Sequence, residues 1–233
     1  MIIRSSVSFV LPMYNEEANI ADTVSRIRSL GAEITDDYEI VIVDDASTDN
    51  SVKTAQALAE KDSSIKVFEM RKNTKFGGAF SEGFKRAEKD VILYMDSDMP
   101  VKEEDIMASV PFIEKFDIVT GVSKIKKGDT IKRKIISGVY NFIVQSLFRL
   151  DVNDINSGYK VVRKKVVEDI DFISKSPFVD VELFLHAKKM GYAIYQFPLI
   201  FIDRTGGKSY IARLPVIAAT FRDMLKVRLL RRG

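Results

Sequence analysis

The chain has 233 residues, 46% of them hydrophobic, and a formal net charge of +3 at pH 7, enough for one large globular domain with an ample core. It has no cysteine and one histidine, His186, which excludes disulfides, thiolate zinc sites and thiol nucleophiles and disfavours His-rich metal sites and Ser-His-Asp chemistry. No run approaches the roughly 18 apolar residues that span a bilayer, and "MIIRSSVSFVLP" enters a strand directly instead of building a signal peptide.

The first predicted element is a buried strand, "VSFVLP". Asn15 follows as the expected cap of a helix with Glu16 and Glu17 in its first turn, where acids complement the helix dipole. Ile20, Val24, Ile27 and Leu30 repeat at helical spacing, and Gly31 is the expected stop. "YEIVIVDD" is the second strand, ending in Asp44 and Asp45; "ASTDNS" is a loop and helix start, and that helix runs through Leu58. "SIKVFEM" is the third strand, "GGAFSEGFKRAEKD" the third helix and "VILYMD" the fourth strand. Later come a strand at "FDIVTG" and a helix within 131–150 with Ile135, Val139, Phe142 and Leu147 on its apolar side. "SGYKVV" is a strand, "DVELFLHAKKMG" a helix with a Gly stop, and "YAIYQFPLIFI" a strand that Pro198 restricts to an edge or a bulge. Strands joined by helices of this length pair in parallel through right-handed crossovers. The expected fold is therefore α/β, a Rossmann-like doubly wound, mostly parallel central sheet flanked by helices.

Such sheets bind ligands beyond the carboxyl ends of their strands. Three polar clusters fall there: Tyr14-Asn15-Glu16, Asp44-Asp45 and Asp96-Ser97-Asp98. Carboxylates converging on one edge repel unless a cation or hydrogen-bond donors compensate them. Two aspartates in one turn can reach a single hard cation, Mg²⁺ or Mn²⁺, whose remaining positions a diphosphate fills. Asp44 and Asp45 either cap the next helix or accept from a nucleobase or ribose. No G-x-G-x-x-G follows the first strand and no P-loop lysine is present, so neither a dinucleotide nor a P-loop site is supported. Basic residues gather in "KIKKGDTIKRK" and from Arg204 to the last residues; they form solvated faces or meet a partner that carries phosphate.

"VLPMYNEEANI", "VDDASTDNS", "DSD", "SGYKVVRK", "FVDVELFLHAKKMGY" and "RTGGKSY", in this order along nearly the whole chain, resemble the family 2 inverting nucleotide-sugar glycosyltransferases of GT-A fold, and among them the dolichyl-phosphate mannose or glucose synthases. The resemblance implies nucleotide-sugar binding by Pro12, Tyr14, Glu16, Asp96, Ser97 and Lys208, with Asp44 or Asp45 on base and ribose. It implies a metal, Mg²⁺ or Mn²⁺, on Asp96 and Asp98, and an Arg-x3-Ser-x3-Asn pattern of Arg133, Ser137 and Asn141 beside the acceptor. Asp154, Ser157 and Gly158 are similar to the family's Asp-x-x-Ser-Gly, Asp180 and Glu182 to its Asp-x-Glu, and Arg204 and Lys208 to its Arg-x3-Lys. Four positions depart: Lys75 where Gly is common, Pro100 in place of a Gln, Lys160 in place of an Arg, and Lys124 near the place of an Arg. Tryptophan is absent, so the Gln-x-x-Arg-Trp signature of processive synthases is missing.

The resemblance implies a donor such as GDP-mannose or UDP-glucose and a polyprenyl (dolichyl) phosphate acceptor, with no nucleic-acid partner. A lipid phosphate is already anionic and needs positive charge to hold it in line, which Arg133, Arg204 and Lys124 would supply. A hydroxyl acceptor would need a base, with Asp180 or Glu182 the candidate; alternatively those two are acids favoured by a helix N-terminus. A third reading is a non-catalytic, membrane-associated nucleotide-sugar-binding protein. Residues 1–212 are expected to form the catalytic domain. Residues 213–233 are expected to form a basic amphipathic helix that either packs on the core or lies on an anionic membrane surface. The expected localisation is cytoplasmic and peripheral, at the cytoplasmic face of the membrane, with docking on a membrane protein as a further expectation.

Overall fold

A computed structural model describes residues 1–123, 131–201 and 214–230, with the side chains of 131–134 and 214 outside the description. Seven strands form one sheet: β1 (Val7–Met13), β2 (Tyr38–Asp44), β3 (Ile65–Glu69), β4 (Val91–Met95), β5 (Ile118–Ser123), β6 (Tyr159–Arg163) and β7 (Ile194–Leu199). Their order is β3-β2-β1-β4-β6-β5-β7. β6 runs antiparallel to both neighbours, and the other pairings are parallel. The helices are α1 (Ile20–Ile34), α2 (Ser51–Ala59), α3 (Lys75–Arg86), α4 (Glu103–Ser109), α5 (Ile131–Phe148), α6 (Val179–Met190) and α7 (Leu214–Leu230).

The central strands are apolar at nearly every position because both faces are covered. Val10, Val41, Val43, Ile92 and Tyr94 join one core with α3, α5, α6 and α7. Phe9, Leu11, Ile40, Ile42, Leu93 and Met95 join the other with α1 and α4. β7 is an edge strand, one of the two placements that Pro198 allows, and Gly191 ends α6 in the left-handed region at φ 74°.

Three local expectations are corrected. Asn15 does not cap α1: it holds φ 56°, and its Oδ1 accepts from the Thr48 amide at 2.8 Å. The helix therefore starts at Ile20, and Glu16 and Glu17 precede its first turn. Gly31 does not end α1 but lies inside it, where a Cβ would come within 2.8 Å of the Tyr38 ring. On α5, Ile135, Val139 and Phe142 are exposed, while Val144 and Phe148 enter the core. A helical stripe in sequence gives spacing but not what covers it.

β1 pairs with β2 as far as Met13 but with β4 only as far as Val10. The two strands part there, where the strand order reverses, and the divergence opens the crevice. Pro12 sits in the stretch of β1 that is hydrogen-bonded on one side only.

Candidate active site

Two loops close one wall of the crevice. The Asn15 amide donates to Ser47 Oγ at 2.8 Å and the Glu16 amide to Ser51 Oγ at 2.7 Å. The Glu16 carboxylate accepts from Asn19 Nδ2 at 2.8 Å, and Tyr14 is exposed at the rim. Four non-glycine residues on this edge carry positive φ: Asn15, Ala46, Lys75 and Met99, at 56°, 60°, 68° and 46°. Lys75 thus holds a backbone region that suits a glycine better than a lysine.

Asp44 and Asp45 have different surroundings. Asp45 Oδ1 accepts from the amide and hydroxyl of Thr74, at 2.5 and 2.7 Å. Burial pushes the Asp45 carboxyl above its ordinary range, against the Thr74 donors. Asp44 Oδ2 accepts from the Ser47 amide at 3.0 Å, while its Oδ1 is buried without a hydrogen-bond partner among the described residues.

Asp96 and Asp98 lie in a turn closed by the Met99 amide donating to the Asp96 carbonyl at 3.0 Å. Ser97 is buried, and its carbonyl accepts from Thr23 Oγ1 at 2.8 Å. The Asp96 amide donates to the Gly158 carbonyl at 3.2 Å. A Cβ on Gly158 would stand 2.7 Å from Asp96 Oδ2, so only glycine leaves this carboxylate its place. Two hard oxygen donors in one turn suit Mg²⁺ or Mn²⁺, and Pro100 adds no side-chain oxygen. Among the described residues no group of three His, Cys, Asp or Glu side chains forms a cage.

Behind this turn lies a buried polar cluster. Lys160 Nζ and Asp180 Oδ1 are 2.8 Å apart, and both side chains are 0% exposed. Asn156 Nδ2 donates to Asp180 Oδ2 at 3.1 Å and to the Pro177 carbonyl at 2.6 Å. Burial raises the Asp180 carboxyl, and the Lys160 ammonium opposes that rise. The hydroxyls of Tyr94 and Tyr140 and the Asn141 Oδ1 are buried without hydrogen-bond partners among the described residues. Burial and the charges of Asp96, Asp180 and Asp98 keep the Tyr94 phenol protonated.

Asp180 and Glu182 have separate surroundings. Glu182 accepts from the amides of Ile173 and Ser174 at 2.9 and 2.7 Å, and it lines a cavity of about 160 Å³ with Asp169, Asp171 and His186. Ser137 is half-buried on α5, and Arg133 lies in the first turn of that helix with its side chain outside the description. Lys124, Arg204 and Lys208 lie outside the described residues. Sequence reasoning passed over Asn156 and Tyr94 and noted Lys160 only as a departure. The available signal was a lysine inside the apolar strand "YKVV", since a buried ammonium requires a partner.

The sheet carries an Asp-x-Asp turn beside its switch point, an arrangement that suits a diphosphate held through a divalent metal. Residues 8–171 match the family described as Glycosyl transferase family 2, and the chain belongs to that family. It is 27% identical over 210 residues to the undecaprenyl-phosphate mannosyltransferase of Micrococcus luteus, covering 86% of this chain and 85% of that one. It is 29% identical over 163 residues to the undecaprenyl-phosphate 4-deoxy-4-formamido-L-arabinose transferase of Yersinia pestis, covering 70% of this chain and 50% of that one. Among solved structures it is similar to the glucosyl-3-phosphoglycerate synthase of Mycobacterium tuberculosis, with a TM-score of 0.68 and 20% identity over 97% of this chain and 80% of that one. A mannosyltransferase from Pyrobaculum calidifontis in complex with GDP-Man and Mn²⁺ gives a TM-score of 0.66 and 16% identity over 96% of this chain and 65% of that one.

Proposed function

We propose that the protein transfers a hexose, mannose or glucose, with inversion, from a nucleotide diphosphate sugar to a polyprenyl phosphate at the cytoplasmic face of a membrane. The observation that carries the acceptor assignment is the state of the two acids that would serve a hydroxyl acceptor. Asp180 is wholly buried against Lys160 and Asn156, and Glu182 is held by two backbone amides. A phosphate acceptor is already anionic and needs no base. The Micrococcus relative is named for transfer to undecaprenyl phosphate, and its length is matched almost throughout.

In this reading Asp96 and Asp98 hold Mg²⁺ or Mn²⁺, which when bound stabilises the charge of the departing diphosphate. Asp44, with one buried oxygen lacking a partner among the described residues, accepts from the base or ribose, and Asp45 anchors the start of α3. Pro12, Tyr14, Glu16 and Ser97 shape the donor pocket. Arg133, Arg204, Lys124 and Ser137 would bind the acceptor phosphate, and Lys208 would offset the charge of the diphosphate. Residues 213–233 serve as a membrane-surface helix. Among the described residues no helix is long and apolar enough to cross a membrane, and Phe221, Leu225, Leu229 and Leu230 of α7 are exposed.

The test is calorimetric binding of GDP-mannose and UDP-glucose with Mn²⁺, followed by transfer to dolichyl or undecaprenyl phosphate and, in parallel, to a sugar hydroxyl. The expected result is metal-dependent binding of one donor and transfer to the lipid phosphate. Failure of both donors to bind, or transfer to the hydroxyl alone, would overturn the proposal.

A further inference from the structure

The Lys160–Asp180 pair is the most deeply buried charge pair among the described residues, and it touches the Asp-x-Asp turn through an unbroken chain of contacts. Lys160 stands opposite Tyr94 across the β4–β6 ladder, so both side chains share one face of the sheet. Its ammonium lies 5.9 Å from the ring centroids of Tyr94 and of Phe184. Besides its ion pair with Asp180, it donates to the carbonyl of Ser157. The next residue, Gly158, accepts from the Asp96 amide and lies against the Asp96 carboxylate. Asn156, two residues before Gly158, donates to the other oxygen of Asp180. The turn 156–158 is thus gripped at Asn156 and at Ser157 by the two members of one ion pair, and its last residue forms the floor under Asp96.

We infer that Asp180 and Lys160 are positioning residues: together they set the height of the Asn156–Gly158 turn, and through it the placement of Asp96 for the donor's diphosphate and its metal. This rests on the donor and metal reading proposed above. An unpaired ammonium cannot stay in a dry aromatic pocket. Neutralising Asp180 alone therefore drives Lys160 outward or strips its proton, and either change loosens its hold on the Ser157 carbonyl and on Gly158 beside it. Removing both charges takes away that drive, so the double variant should behave better than either single one. A base at Asp180 makes the opposite prediction, since removing Lys160 as well restores no proton acceptor.

The experiment compares Asp180→Asn, Lys160→Met, Lys160→Arg and the double variant Asp180→Asn/Lys160→Met in the full chain. Calorimetry reads Mn²⁺-dependent binding of GDP and UDP, steady-state kinetics reads donor KM and kcat, and thermal melting reports folding. The expected result is about tenfold weaker Mn²⁺-dependent binding for each single neutralising variant and recovery to within about threefold for the double, the size of coupling that contacting buried groups show. Lys160→Arg should keep binding, and donor KM should carry the defect. If Asp180→Asn fails to fold, Lys160→Met against the double still decides. Wild-type binding with variants indifferent, or a double variant no better than the worse single one, overturns this inference alone. So does an Asp180→Asn variant that binds normally but loses kcat. A wild-type protein that binds neither nucleotide overturns the donor reading and this inference with it.

Discussion

Asn15, Ala46, Lys75 and Met99 hold left-handed backbone at the carboxyl edge of the sheet, each at a cost on the order of 1 kcal/mol for an L-residue. Strain gathered on the edge that carries the acidic clusters is consistent with loops shaped for a ligand. Lys75→Gly should raise stability by up to about 1 kcal/mol, whereas Lys75→Val should lower it by more than about 1 kcal/mol; urea unfolding of both variants measures this. The family resemblance placed Lys75 where a glycine is common, but it did not show that the backbone here is left-handed. The adjacent acids separate in the same way. "DD" reads as two equivalent candidates, yet the Thr74 contacts hold Asp45 and leave Asp44 Oδ1 without a partner among the described residues. Asp45→Ala should therefore lower unfolding stability by about 1–3 kcal/mol, while Asp44→Asn should mainly weaken nucleotide binding. Equal loss of nucleotide affinity in both variants, by calorimetry, would show that the division of roles is wrong.

Helices and strands were largely legible, because burial on both faces writes unbroken apolar runs and the 3.6-residue repeat writes helices. Strand direction was not legible: "YKVV" looks the same parallel or antiparallel, and only pairing with β4 and β5 shows that β6 is reversed. The end of the sheet away from the crevice hides a polar knot for the same reason. Glu39, 2% exposed, accepts from Ser8 Oγ at 2.6 Å and the Glu88 amide at 2.7 Å, and pairs with Lys66 at 2.8 Å. Burial opposes its charge, but Lys66, Ser8 and the Glu88 amide outweigh that and hold the carboxyl below its ordinary value. A depressed carboxyl contributes stability above its unfolded pKa, roughly 4.3, and loses it as pH falls through the lower folded value. The stability gap between wild type and Glu39→Gln should accordingly be full at pH 7 and close progressively below about pH 4.3. Thermal melts of both proteins from pH 7 to 3 test this, and a gap that persists unchanged at pH 3 would refute it.

At the scale of the whole molecule, α7 has two faces. Val216, Thr220, Asp223, Met224 and Val227 are buried, and Asp223 accepts from the amides of Lys175 and Ser176 at 3.2 and 3.1 Å. The helix is thereby fixed to the loop ahead of α6, and Met224 and Val227 share a core with the sheet. The packed-helix expectation for this segment therefore holds on the inner side of α7, and the membrane-surface expectation concerns its outer side alone. On the outer side, Phe221, Leu225, Leu229 and Leu230 are exposed beside Arg222 and Lys226. Apolar and cationic residues interleaved in this way suit an anionic lipid surface, where insertion and charge attraction act together. The protein should co-sediment with vesicles containing phosphatidylglycerol and bind neutral phosphatidylcholine vesicles less. Binding should weaken as salt shortens the Debye length from about 10 Å at 0.1 M to about 3 Å at 1 M. Leu225→Ser with Leu229→Ser should reduce vesicle binding and transfer to a long-chain polyprenyl phosphate presented in vesicles. Donor binding in solution should be unchanged, because neither leucine belongs to the crevice. If the double variant sediments with anionic vesicles as well as the wild type does, α7 is not the membrane-facing surface.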